Sequence, residues 1–340
     1  QSGFVVGVFY WLPIAIAYAM KKARTYKRQG ILAIAMLMIY MIPIRKWPAF
    51  QRSKIWDHLL KYFQLKVTGI TPPSANTLAA YGTSGIMYGV APHGIVPYSL
   101  GLTSFGSLGE FLHYPSMVSA SIVRWIPIFA HMLFWGGAVE ATNESITGVF
   151  TSNTGIGAGN NDISAVGITP GGIAEMYLGY PQPGYLENEE YALLNNRQGF
   201  IRIAIKQGLT LIPIFVYGSS SIFNRIVLPS FLENISRWLR ASLMIFYGRL
   251  GLPIPYEVPL LYALGRHINL DMITDNVTAT ATAGIITQAA GALGVNVNVN
   301  LEPRQEEVDF VHNIFINELK RTFNTHKREY GWEHKTLKIV

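Results

Sequence analysis

The chain has 340 residues, enough for one large or two ordinary domains, and 50% of them are hydrophobic while only 14% are charged, against an average charged share of about 25%. A formal charge of +7 suits an anionic lipid surface or a phosphorylated substrate, and without a basic stripe interleaved with stacking aromatics it argues against a nucleic-acid partner. The absence of cysteine excludes disulfides, zinc–thiolate sites and a cysteine nucleophile, and leaves the compartment open.

Phe4–Met20 is an apolar run broken only by Pro13 and followed by Lys21, Lys22, Arg24, Lys27 and Arg28. A second run, Ile31–Ile44, leads into Arg45, Lys46 and Trp47. A spanning helix needs about 20 apolar residues, so the first run is marginal and the second too short for a straight crossing. Tyr10, Trp11, Tyr40 and Trp47 stand where interfacial anchors stand, and the basic cluster Lys21–Arg28 is expected on the cytoplasmic side. Residues 1–50 are therefore expected to form a membrane-embedded helical anchor, the second run dipping in and returning or lying in the interface. A pair of buried core helices is the plainer alternative.

Residues 51–340 read as an α/β domain. A short amphipathic helix is expected over Ser53–Phe63 and a turn at Thr71–Ser74. Strand-like runs at Ile86–Ala91, Ser116–Ser121, Ser164–Thr169, Thr210–Tyr217 and Leu260–Arg266 alternate with helix-like ones at Ile126–Phe134, Ser145–Ser152, Gly199–Gln207 and Ser230–Phe246. That alternation predicts a mostly parallel central sheet flanked by helices. Residues 271–300, rich in Thr, Ala, Gly and Asn, read as an inserted loop. The last helix is the clearest: Pro303 suits its first turn, Val308, Val311, Phe315, Leu319 and Phe323 make one apolar stripe, and Gly331 is a stop.

Chemistry gathers at two strand ends. Val90-Ala91-Pro92-His93-Gly94 presents an imidazole just past a strand that Pro92 terminates, where open α/β sheets place their sites. Such a histidine is either a satisfied core residue or a proton carrier near neutral pH. Ile168-Thr169-Pro170-Gly171-Gly172-Ile173-Ala174-Glu175 is a second strand ending in Pro and Gly, with a carboxylate behind it. Asn195-Asn196-Arg197-Gln198-Gly199-Phe200 then opens a helix, and Leu211–Gly218 is the next strand. Asn160-Asn161-Asp162 and the remaining histidines, including His113, His131, His267 and His312, suggest no metal site.

Together these segments resemble the type 2 diacylglycerol acyltransferase family with its monoacylglycerol and wax-ester relatives. The resemblance rests on a PHG box at residues 92–94, a GGxxE box at 171–175, and Asn196, Arg197, Gly199, Phe200, Ala204, Gly208, Leu211, Pro213 and Gly218 in order, with a similar helix over Pro303–Gly331. It implies a glycerolipid acyltransferase-like fold and transfer of an acyl group from acyl-CoA, a co-substrate and not a cofactor, to diacylglycerol or another lipid alcohol. His93 would be the general base and Glu175 would orient its ring. Pro92, Gly94, Gly171 and Gly172 would line the substrate, backbone amides near Gly94 or Gly171–Gly172 meeting the oxyanion. Arg197 and Lys206 would hold the phosphates of CoA. It also implies membrane lipids as partners, a homo-oligomer or a membrane complex, and an endoplasmic reticulum membrane with the α/β domain facing the cytosol, or else another organelle.

Two departures bear on that reading. The family usually carries His or Glu where Ala91 stands, a position expected to lie within reach of the acceptor hydroxyl. The broader glycerolipid acyltransferases place an Asp where Tyr98 stands, so the partner of His93 is not local. The alternative is a chain that has lost catalysis and serves as a structural subunit of a membrane assembly.

Overall fold

The computed structural model describes residues 41–83, 85–125, 129–151, 163–178, 186–226, 245–270 and 302–340, with isolated positions 18, 30, 31, 34 and 38. Most of the expected anchor, residues Asn160–Asp162 and the 271–300 insertion lie outside them. Among the described residues no helix is long and apolar enough to cross a membrane.

The strands, in chain order, are β1 (Lys66–Gly69), β2 (Ile86–Ala91), β3 (Ser116–Ser119), β4 (Val139–Glu140), β5 (Ala165–Ile168), β6 (Glu189–Ala192), β7 (Thr210–Tyr217), β8 (Asn224–Ile226), β9 (Ile245–Tyr247), β10 (Leu261–Leu264), β11 (Ile268–Asn269) and β12 (Thr336–Ile339). The main sheet runs β1-β10-β7-β2-β5-β3-β4, with β11 paired to β7. From β7 to β4 every neighbour is parallel. β10 runs antiparallel to β7, and β1 is parallel to β10, so one edge reverses direction. The sheet is thus mostly parallel, as the alternation of elements predicts.

β2 and β7 are buried at every position, the mark of central strands covered on both faces. Alternate side chains of β2 feed two cores. Tyr88 and Val90 pack with Trp56, Leu59, Leu100 and Phe105, from helices on one face. Met87 and Ala91 pack on the other with Phe200, Ala204, Phe215, Phe315 and Phe323, under the helices Gly199–Lys206 and Gln305–Tyr330. The expected stripe Val308, Val311, Phe315, Leu319, Phe323 is buried throughout, and Gly331 ends that helix in the left-handed conformation at φ +84°. The ring of Phe315 lies so close over Gly89 that a Cβ there would sit 2.5 Å from Cζ.

Two expectations need correction. Ser230–Phe246 was expected as one helix; its residues to 244 lie outside the description, and Ile245 and Phe246 belong to β9, paired antiparallel with β8. Ser116–Ser121 was expected as a strand; it stops at Ser119, and Ser121 opens a 3₁₀ turn to Trp125. A further pair, β6 with β12, is parallel and stands apart from the main sheet.

Candidate active site

β2 lies between β5 and β7, so the carboxyl ends of three parallel strands stand side by side. The chain passes to one side of β2 to make β3 and β5, and to the other for β7, which makes β2 the place where the winding changes direction. Ligands of open α/β sheets bind at such a crevice. His93 sits two residues beyond β2 and is only 6% exposed.

The imidazole Nδ1 lies 2.8 Å from the carbonyl oxygen of Gly94. A carbonyl accepts and cannot donate, so the ring proton sits on Nδ1 and the lone pair is left on Nε2. Burial pushes the His93 pKa down to about 4, with the Gly94 carbonyl pulling the other way. At neutral pH the ring is therefore uncharged and of defined tautomer.

Glu175 rides on the helix Gly172–Leu178 that follows β5, and is 3% exposed. Burial pushes its carboxyl up to about 7, opposed by main-chain N–H groups of Leu193 and His93 and by the charge of Arg197. The Leu193 N–H reaches Oε1 at 3.4 Å. The contact with His93 is thus to its amide and not to its ring, which Gly94 holds. Glu175 fixes where the histidine's backbone lies; the Gly94 carbonyl fixes how the ring is turned.

The glycines have distinct reasons. At Gly171 a Cβ would overlap the Glu175 carboxylate itself. Gly94, at φ +69°, brings its Cα so near Ser219 that a Cβ would lie 2.9 Å from that residue's carbonyl oxygen. Gly172 turns at φ +55°, and its N–H bonds Thr169 O at 3.1 Å, so this amide is engaged inside the turn. Ser219, just past β7, donates to Pro92 O at 3.2 Å and lies 3.0 Å from Ser99 Oγ.

Arg197 lies exposed in the turn before the Gly199–Lys206 helix, close enough to influence Glu175. Lys206 closes that helix and pairs with Glu302 at the surface. His113, His131 and His267 reach main-chain carbonyls of Pro73, Ile42 and Thr71, while His312 is buried with its Nε2 unpartnered. Ala91 is 1% exposed and faces the apolar core beside Phe215, so a polar side chain there would point into that core and away from the crevice. Tyr98 packs between Phe63 and Phe223. Ser99, Ser219, Glu190 and Lys335 also belong to this neighbourhood and were missed by sequence reasoning, since Ser99, Glu190 and Lys335 stand outside the motifs and Ser219 one residue past the last of them.

A family profile described as diacylglycerol acyltransferase matches residues 31–282. The chain belongs to the diacylglycerol acyltransferase family. This acyltransferase is 26% identical over 303 residues to mouse (Mus musculus) 2-acylglycerol O-acyltransferase 1, covering 86% of the chain and 78% of the relative. It is 24% identical over 308 residues to mouse acyl-CoA wax alcohol acyltransferase 2 (85% and 75% covered) and 25% over 305 residues to zebrafish (Danio rerio) diacylglycerol O-acyltransferase 2 (84% and 71%). Among solved structures, the 1-acyl-sn-glycerophosphate acyltransferase of Thermotoga maritima aligns over 94% of this chain and 93% of its own, at 11% identity and a TM-score of 0.38. The acyltransferase match covers His93, the Gly171–Glu175 turn and the Asn196–Gly218 block, the elements that converge on β2.

Proposed function

We propose that this acyltransferase moves a fatty acyl group from acyl-CoA to a lipid alcohol, diacylglycerol in the first instance, with His93 as general base. The observation that carries the reading is the buried, neutral imidazole at the end of the central strand, its Nδ1 proton tied to Gly94 O. Nε2 takes the proton of the acceptor hydroxyl as its oxygen attacks the thioester carbonyl. The tetrahedral intermediate then collapses, the C–S bond breaks, and the imidazolium returns the proton to the leaving thiolate. No covalent intermediate on the protein is required. The main-chain amides of Gly94 and Gly171 are the candidates for the oxyanion, since that of Gly172 is engaged with Thr169.

Arg197, exposed and close enough to Glu175 for its charge to be felt, would meet the phosphates of CoA, whereas at Lys206 they would compete with Glu302. The lipid alcohol is supported by the relatives, whose names specify an acylglycerol, a wax alcohol and diacylglycerol. A membrane setting is supported by Ile31, Ile34, Met38 and Met41, all helical, at helical spacing, and 58–75% exposed. An endoplasmic reticulum membrane with the α/β domain facing the cytosol fits the basic cluster after the first apolar run.

The test is release of free CoA thiol from acyl-CoA with diacylglycerol, 2-acylglycerol or a long-chain alcohol as acceptor, using purified chain in detergent. His93→Ala is expected to lower turnover by about 100-fold or more while acyl-CoA still binds. An active His93→Ala variant would remove His93 as the base. Faster release with a long-chain alcohol than with diacylglycerol would move the acceptor to the wax class.

A further inference from the structure

Two lines of contact run from residues 335–340 to the two ends of the peptide group that joins Pro92 to His93. Along the first, Lys335 Nζ lies 2.6 Å from Glu190 Oε1, the two side chains only 18% and 8% exposed. Glu190 Oε2 accepts from Ser220 Oγ at 3.0 Å, and the adjacent Ser219 donates to Pro92 O. Along the second, β12 pairs with β6, and the main-chain oxygen of Val340 accepts from Leu194 and Asn195 at 3.0 and 2.9 Å. Leu193, one residue earlier, gives its N–H to Glu175, whose carboxylate also takes the N–H of His93. The residues before and at the catalytic histidine are thus held by groups that themselves hang on the β12 segment.

Lys335 is fixed more firmly than a surface lysine needs to be. Its ammonium stands 4.1 Å from the ring centroid of Trp332, and its carbonyl accepts from Lys327 Nζ at 2.9 Å. An exposed ion pair adds little to stability, whereas a mostly buried one that loses a partner leaves a charge stranded. The arrangement is therefore stiff as long as both partners are present. We propose that the Lys335–Glu190 ion pair is a positioning device for the His93 turn, transmitting the placement of the β12 segment through Ser220 and Ser219 to Pro92. The proposal rests on the reading of His93 as the base.

Lys335→Met in the full chain is expected to lower kcat for diacylglycerol-dependent thiol release by about 10- to 100-fold, the usual cost of a small misplacement of reacting groups, with KM for acyl-CoA changed by less than about twofold. A loosened turn admits water to His93, so the acid limb of kcat/KM moves to higher pH as the ring regains its ordinary basicity. Lys335→Arg restores turnover to within about threefold of the natural chain, because the charge and its reach survive. Ser220→Ala, which deletes one hydroxyl, lowers kcat in the same direction and adds little once Lys335→Met is present. A Lys335→Met protein with a lower melting temperature but natural kcat and an unmoved acid limb would overturn the proposal, leaving the pair a stabilising contact only. If Lys335→Met does not fold, Ser220→Ala decides: natural turnover in that variant overturns it. Inactive His93→Ala beside fully active Lys335→Met sinks the positioning role alone; active His93→Ala removes the base and the positioning role with it.

Discussion

Glu175→Gln tests the buried carboxyl by comparing how the variant and the natural chain respond to pH. In the fold the carboxyl titrates at about 7 in place of its ordinary 4.5, because desolvation outweighs the Leu193 and His93 amides and the Arg197 charge. A folded-state pKa above the unfolded one means that the native state holds a proton which the unfolded chain gives up between those values. The stability contributed by the protonated group is complete below pH 4.5 and is lost as pH rises through about 7. At roughly 1.4 kcal/mol per pKa unit the loss amounts to about 3 kcal/mol. Gln is nearly isosteric and does not titrate, so relative to the natural chain Glu175→Gln gains about 3 kcal/mol between pH 4.5 and 8, whatever its offset at acid pH. His93 works in the opposite sense: its lowered pKa makes stability fall as pH drops from 6.5 towards 4. Both proteins share that trend, and it cancels in the difference. The assay is reversible urea unfolding of both proteins in the same detergent at pH 5, 6, 7 and 8. Stability curves that run parallel across the range would refute the buried, proton-holding carboxyl.

Two further perturbations probe the packing of the site. Ala91→His places an imidazole in the apolar core beside Phe215, and overpacking together with burial of a polar ring is expected to cost about 2–5 kcal/mol, seen as a lower urea midpoint; an unchanged midpoint would show that the side chain escapes to the crevice. Gly171→Ala drives a methyl group into the Glu175 carboxylate and is expected to destabilise the natural chain by about 2 kcal/mol but a Glu175→Ala background by less than about 1 kcal/mol, while equal costs in both would detach the glycine from the glutamate.

What the sequence made legible follows from signal strength. The nearly continuous apolar runs Ile86–Ala91 and Thr210–Tyr217 coincide with β2 and β7, because a strand buried on both faces needs apolar residues almost throughout. The stripe from Val308 to Phe323 showed its buried face for the corresponding helical reason. Strand direction was not legible: nothing in Leu261–Leu264 marks it as antiparallel to β7, since direction depends on the path between strands. β6 and β12 escaped because Glu-Glu-Tyr-Ala and Thr-Leu-Lys-Ile are short and mixed in polarity. The alternation of exposed Thr336 and Lys338 with half-buried Leu337 and Ile339 was the one available hint. At the site, proximity of His93 and Glu175 followed from their two strand ends, but which atom of the histidine the carboxylate reaches did not, because spacing in sequence carries no information on ring against amide. The expected reach of position 91 to the acceptor hydroxyl fails for a simpler reason: its place on β2 puts it on the core face with Met87.

The near-contact of Phe315 with Gly89 has a consequence for how the molecule comes into being. Gly89 lies in the middle of the central strand, yet the ring that closes over it belongs to a helix made more than two hundred residues later. A ribosome adds roughly 5–20 residues each second, so β2 exists for at least ten seconds or so before its cover emerges. Once made, Phe215 and Tyr217 likewise await Phe323, which meets Phe215 edge-on and stacks on Tyr217 in the finished fold. The face of β2 that this helix covers therefore stays bare through much of translation, and that of β7 through its last third. That face is sheltered only when the last helix, Gln305–Tyr330, is complete.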